Sequence, residues 1–352
     1  MLQFRAGQLR AAASAIFQAA GSPQDTATFV ANSLVTANLM GHDSHGIIRV
    51  QEYCEEIEAG TLVATAQPEV ITETATTATV SGNWGFGHVT ARAGAEVAIT
   101  KAKEANVSVV GLVQQNHIGR LGEWSAMMAE AGMIGMVVTG GWRPPAVSAA
   151  PFGGAARQLS TNPYSFAIPT GKHDIVLVDF ATTVIAEGKV RLARAKGVPL
   201  PAGAILDKNG NASTDPNDYY AGGVLLPAAG HKGYSLALVA DLLSILVRAD
   251  AYGRDWNCTG TFMLAVKVNA FRPVAEFAAA VDGRLDEVKA VPPAPGFAEV
   301  LIPGEPERRS QAQREREGIG VPEATWVALI ATGKRLGVDV PMVAGAWPGC
   351  GQ

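Results

Sequence analysis

Cysteine is scarce in this chain: Cys54, Cys258 and Cys350 are odd in number and far apart. No disulfide framework or paired-cysteine zinc spacing emerges, which predicts a reducing compartment and a cytoplasmic protein. Charge is scarce too. Charged residues make up 17% and the formal net charge is −4, leaving no electrostatic footprint for nucleic acid or an anionic membrane. Apolar runs stay short: the richest, Tyr234 to Val247, carries Asp241 and cannot span a bilayer. The N-terminal "MLQFRAGQLRAAASAIFQAAG" sets arginines before alanines as a leader does, yet Gln18 breaks its apolar stretch and an amphipathic helix is expected.

Familiar ligand motifs are also missing. The "GFG" at Gly85 to Gly87 lies between an expected strand and helix, but Thr90 occupies the third small position. No acid ends the next strand, "VSVVGLVQQN", where one would hold a ribose, so any NAD or NADP is expected on a fold other than the Rossmann type. "DKNGNASTDPND", from Asp207, starts like a calcium loop but has Ala212 where glycine is required, and consecutive turns explain it better. There is no HExxH and no Walker spacing.

What is present is apolar material, 48% of 352 residues, enough for two or three domains or one large core with an appendage. The first seventy or so residues read as helices: Ser22 caps a helix with Pro23 in its first turn, and Ala27, Val30, Leu34 and Ala37 recur at helical spacing. Strands are expected in "TATVSG", "VSVVGLV", "MIGMVVT", "YSFAIP" and "IVLVDF". A helix is expected in "GYSLALVADLLSILV", with Leu236, Val239, Leu242, Leu243 and Leu246 as its apolar stripe. A last helix is expected near Glu323 to Leu336.

Against this sparse background, Gly41 to Arg49 reads "GHDSHGIIR". If a helix begins near Ser44, His45 and Arg49 stand four apart on one face. Arginine can grip a carboxylate through two parallel hydrogen bonds, and a histidine one turn away can exchange a proton with the adjacent substituent. That suits a small 2-oxo, 2-imino or 2-hydroxy acid. Two alternatives stay open: a helix cap with solvated neighbours, and a metal-dependent hydrolase built on His42, Asp43 and His45.

Other candidates are His117, just beyond an apolar strand, and Ser160, Thr161 and Asn162 in a turn. Asp179 ends "IVLVD", where it can orient a base or a ribose or cap a segment. "AAGHKGYS" places Lys232 at a helix start, as a phosphate cradle or as an ordinary glycine loop.

Taken in order, "GHDSHGIIR", "NHIGRLGEW", "APFGG", "STNP", "VDFATT", "GHKGYSLAL" and "IPGEPE" resemble the type 2 malate/L-lactate dehydrogenase family of NAD(P)-dependent oxidoreductases, from about Leu9 to Leu336. The family also includes reductases of cyclic imino acids. The resemblance implies an α+β fold: a non-Rossmann cofactor domain with a mixed, largely antiparallel sheet (73–309), and a helical domain from both chain ends (1–72 and 310–352), assembled as a homodimer. It implies Ser44 and His45 beside the substrate, Arg49 on its carboxylate, and His117 with acid/base duty in some members. It places Thr161 at the substrate or nicotinamide. Cofactor contacts would come from His117, Ile118, Gly119, Arg120 and Leu121, from Asp179, Phe180 and Ala181, from Lys232, and from the Pro303 to Arg309 segment, namely Gly304, Glu305, Arg308 and Arg309. No metal is implied. The chain departs from the pattern at "TGGWRPPAVSAAPFGG" and at Ser160, which replaces the usual glycine. Trp142 and Arg143 can accommodate a second acidic group there. A catalytically silent ligand-binding protein of the same fold is the rival reading.

Overall fold

A computed structural model describes residues 1–141, 143 and 146–341. The expectations placed on Trp142 and on positions 342–352, Cys350 included, lie outside the described residues.

Alternating and fully apolar segments form a seven-stranded sheet. Its strands run in the order Glu69–Glu73, Thr77–Ser81, Val107–Val113, Gly260–Lys267, Met133–Gly140, Tyr164–Ile168 and Val176–Phe180. Only Thr77–Ser81 and Val107–Val113 pair in parallel; the other neighbours are antiparallel. Together with twelve α-helices among the described residues, this is a mixed α/β fold. A parallel pair needs a long crossover, and the helix Gly87–Ala105 supplies it.

The two chain ends meet. Leu2–Phe4 pairs with Ile319–Val321, and one apolar cluster joins Phe4, Leu9, Phe17, Leu34 and Tyr53 to Ile319 and Leu329. A charged run folds as the helix Glu305–Glu317, which continues across position 310 without a break, and Glu323–Arg335 forms the last described helix. None of the described helices is long and apolar enough to cross a membrane.

Two local expectations are corrected. The helix after "GS" is Gln24–Leu39; its N-cap is Pro23, and the Ser22 hydroxyl has no partner. More consequential is His231–Leu246, where Leu243 alone of the expected apolar stripe packs toward the core, half-buried against Val138, Tyr164 and Ala240. Leu236, Val239, Leu242 and Leu246 are 39%, 46%, 54% and 66% exposed, while Ala237, Ala240 and Ser244 are buried. The reason is close packing: a Cβ on Gly140 would lie 2.4 Å from the Ala240 carbonyl oxygen, so only small residues fit between helix and strand. The Ser244 hydroxyl sits 3.0 and 2.9 Å from the carbonyls of Gly140 and Gly260.

Candidate active site

Asn38, at the end of Gln24–Leu39, organises the segment that follows. Its Oδ1 accepts from the Ile47 N–H at 2.7 Å and its Nδ2 donates to Asp43 Oδ1 at 2.7 Å. Arg314 clasps the same carboxylate at 2.6 and 3.1 Å. The segment is therefore not the single helix expected from Ser44. Asp43–His45 forms a 3-10 turn, the chain breaks at Gly46, and a new helix runs Arg49–Glu58. A Cβ on Gly46 would fall 2.2 Å from Asn38 Oδ1, which explains the break. His45 and Arg49 still meet, because Arg49 folds back to donate from Nε to the Ser44 carbonyl at 2.8 Å.

The glycine turn before Gly87–Ala105 sets His117. A Cβ on Gly87 would lie 2.2 and 2.4 Å from the carbonyl oxygens of Asn116 and His117, so glycine lets the two loops touch. Asn116 Nδ2 donates to the Trp84 carbonyl at 2.9 Å and locks that approach.

Between these elements opens a cleft of about 910 Å³. It is lined by Ser44, His45, Arg49, His117, Ile118, Gly119, Arg120, Leu121, Thr161, Asp179, Phe180 and Ala181, residues that sequence reasoning had singled out. The rings of His45 and His117 stack at 5.3 Å between centroids. Ser44 Oγ is 3.1 Å from His45 Nδ1, and the Tyr53 hydroxyl is 2.6 Å from His117 Nδ1.

Burial, aided by the Arg49 guanidinium, pushes the His45 imidazole down to about 3. The same causes drive His117 well below the ordinary histidine value. Both rings are therefore neutral near pH 7 before an anion enters. Asp179 accepts from the Gly122 N–H at 2.7 Å, serving the start of the helix Leu121–Glu130; burial pushes its carboxyl up while Arg120 opposes the rise.

Lys232, Gly304, Glu305, Arg308 and Arg309 do not line this cleft. Lys232 is exposed at the start of His231–Leu246. Glu305 pairs with Lys289 at 2.6 Å, Arg309 with Glu299 at 2.7 Å, and Arg308 approaches Asp174 at 3.9 Å. Arg143 is also outside the lining, 3.5 Å from Asp255. Among the described residues no group of three or more His, Cys, Asp or Glu side chains could hold a metal ion; His42 faces Glu307 and Asp43 faces Arg314.

Sequence reasoning missed Glu52, Gln115, Arg157, Lys189, Arg191 and Trp256, all of which line the cleft. Only Glu52 had a local signal, three residues after Arg49. The rest arrive by tertiary packing. A Cβ on Gly188 would lie 2.3 Å from Ser44 Cβ, so the helix Glu187–Lys196 abuts the Ser44 turn.

The cleft thus joins His45 and Arg49, from the helical segment before the sheet, to His117, from the loop after the strand Val107–Val113, a set of proton-exchanging and cationic groups suited to an enzyme site. The comparisons define it further. The malate/L-lactate dehydrogenase family model matches residues 4–330, and the chain belongs to that family. It is 37% identical to the malate/(S)-sulfolactate dehydrogenase of Methanothermus fervidus, over 86% of this chain and 89% of that one. It is 35% identical to the ureidoglycolate dehydrogenase (NAD(+)) of Escherichia coli O157:H7, over 89% and 90%. The structure of sulfolactate dehydrogenase from Methanocaldococcus jannaschii superposes with a TM-score of 0.87 at 31% identity, covering 97% of this chain and 99% of that one. The protein is an enzyme, a dehydrogenase of the hydroxy-acid class.

Proposed function

We propose that this enzyme interconverts a small 2-oxo acid and its 2-hydroxy acid, of the malate, lactate or sulfolactate kind, using NAD or NADP. The observation that carries this reading is the stacked His45–His117 pair beside Arg49 in one cleft. A nicotinamide fits the cleft's chemistry: Nη1 of the buried Arg120 has no hydrogen-bond partner, a donor suited to an anionic or amide group. A bound reduced nicotinamide would supply the hydride.

The chain's own residues do the rest. Arg49 keeps Nη2 for the substrate carboxylate, since Nε and Nη1 are taken by Ser44 and Glu52. The carboxylate's charge favours a protonated His45, restoring the acid that burial suppresses. As C2 gains hydride, its oxygen takes the His45 proton, giving the hydroxy acid and a neutral ring. Ser44 steadies the ring through Nδ1. His117 is the rival for the proton-transfer role.

A second acidic group on the substrate is assigned to Lys189. This lysine lines the cleft, is exposed, and has no side-chain partner among the described residues. Thr161 and Ser160 border the same space. The far end of the cofactor is assigned to Gly304, Glu305, Arg308 and Arg309, because Leu177 donates to the Pro303 carbonyl at 3.0 Å beside the Asp179 strand. Lys232, exposed at a helix N-terminus, is assigned to a cofactor phosphate. The largely antiparallel sheet supports a non-Rossmann cofactor domain over 73–309, with the joined chain ends as the helical domain. A cytoplasmic homodimer is part of the same reading; the exposed apolar face of His231–Leu246 supports the dimer.

The test follows reduced-cofactor absorbance with NADH and NADPH separately, against pyruvate, oxaloacetate, sulfopyruvate and cyclic imines, with ureidoglycolate in the oxidative direction. Oxidation of one cofactor by a 2-oxo acid is expected. Silence throughout, with neither cofactor bound, would overturn the reading; activity with cyclic imines alone would change the substrate class.

A further inference from the structure

Tyr53 lies one turn after Arg49 in the helix Arg49–Glu58, yet it does not line the cleft. Its ring is buried among Phe17, Phe86 and His88, at 6.2, 6.1 and 5.8 Å between centroids. Its hydroxyl has one hydrogen-bond partner among the described residues, His117 Nδ1 at 2.6 Å.

A buried O–H needs an acceptor. The neighbouring His88 does not serve as that acceptor: neither of its ring nitrogens is hydrogen-bonded to Tyr53 or to any other group. If His117 carried its proton on Nδ1, that N–H would donate to the Tyr53 oxygen, and the hydroxyl hydrogen would turn away with no acceptor among the described residues. With the proton on Nε2, both groups are satisfied. Since His117 lines the cleft and Nδ1 points back at Tyr53, Nε2 is the nitrogen left for a ligand.

We propose that Tyr53 is a positioning residue for the reaction: its hydroxyl donates to His117 Nδ1 and holds the ring in the tautomer whose Nε2–H points into the cleft, at the C2 oxygen of the substrate. His117 then meets the substrate as a hydrogen-bond donor, and one ring face of the His45–His117 stack is fixed before any ligand arrives. The functional part of this inference rests on the dehydrogenase reading above; the tautomer does not.

The test uses the full-length protein with ¹⁵N-labelled histidine. His117 signals are assigned by their loss in His117→Gln. The expected spectrum of the unsubstituted enzyme shows a protonated Nε2 and an unprotonated Nδ1 for His117; a proton on Nδ1 overturns the proposal. In Tyr53→Phe the Nδ1 signal should move toward that of an unpaired nitrogen. The variant's kcat should fall about tenfold, the weight of one hydrogen bond, with substrate KM and cofactor Kd unchanged. An unchanged kcat in a folded Tyr53→Phe, or a loss confined to melting temperature, also overturns it. Should Tyr53→Phe not fold, the spectrum of the unsubstituted enzyme alone decides. Failure of the dehydrogenase reading would instead show as absent turnover with the Nε2 proton still in place.

Discussion

Glu52 holds Arg49 with both carboxylate oxygens, 2.8 and 2.7 Å from Nη1. The guanidinium is thus aimed before substrate arrives, with one edge committed to protein and Nη2 remaining. Pre-aiming a long side chain lowers the entropy lost on binding.

Arg49→Ala should therefore damage recognition of the acid. Truncating one partner of a hydrogen-bonded charge pair costs about 2–5 kcal/mol, so kcat/KM should fall at least about thirtyfold. Glu52→Gln leaves the cation but loosens it, and KM should rise a few-fold with kcat retained. Steady-state kinetics on the best substrate checks both. An unchanged kcat/KM in Arg49→Ala would remove the carboxylate assignment.

His45→Ala removes the assigned proton carrier without touching the far end of the cleft. General acid catalysis contributes about 10²–10⁴-fold, and kcat should fall by that order while cofactor Kd, read by fluorescence titration, stays level. A larger loss in His117→Ala would exchange the two roles.

Most of the fold was legible because strand and helix periodicity is local. The strands ending near Val113 and Phe180 fall where their apolar residues place them. The inverted face of His231–Leu246 was not legible: a leucine stripe predicts a buried face, and only the contact of Gly140 with Ala240 reveals that small residues are the packing surface. In the site, Ser44, His45, Arg49 and His117 stand out as unusual chemistry in an apolar chain. Lys189 and Arg157 do not, because their place in the cleft depends on Gly188 meeting Ser44 and on Arg157 reaching the Gly223 and Tyr219 carbonyls.

Lys189 gives a selectivity prediction. An added hydrogen bond to a charged group is worth about 1.5–3 kcal/mol when desolvated and less when exposed. Lys189→Ala should therefore lower kcat/KM for oxaloacetate about tenfold while leaving pyruvate nearly unchanged. Equal losses on both substrates would show that the lysine acts on something they share.

The exposed leucines of His231–Leu246 predict assembly. Leu242 and Leu246 are 54% and 66% exposed on one side of a helix whose opposite side is fixed to the sheet. A dimer is expected in light scattering after size exclusion, and Leu242→Glu with Leu246→Glu should shift it to monomer while the circular dichroism spectrum is kept. A monomeric parent protein would leave that face with another partner.

His88 gives a prediction in which the sign can be followed through. It is fully buried between Tyr53, His117 and Trp124, and burial pushes its imidazole down to about 3. The unfolded chain takes up a proton near the ordinary histidine value of about 6.5, whereas the folded chain refuses it. Stability from this group is thus complete above about pH 6.5 and declines as pH falls toward 3. At pH 4.5 the loss is about 3 kcal/mol, at about 1.4 kcal/mol for each unit between the two values. Buried carboxyls act in the opposite sense, since burial raises Glu56 to about 7 and Asp241 to about 6, so the parent curve mixes both trends. His88→Phe separates them. The ring nitrogens make no hydrogen bonds, so phenylalanine forfeits nothing polar and should match the parent near pH 7.5. Between pH 6.5 and 4.5 its melting temperature should decline less steeply than the parent's. Parallel curves would mean that His88 is already protonated or solvated inside the fold.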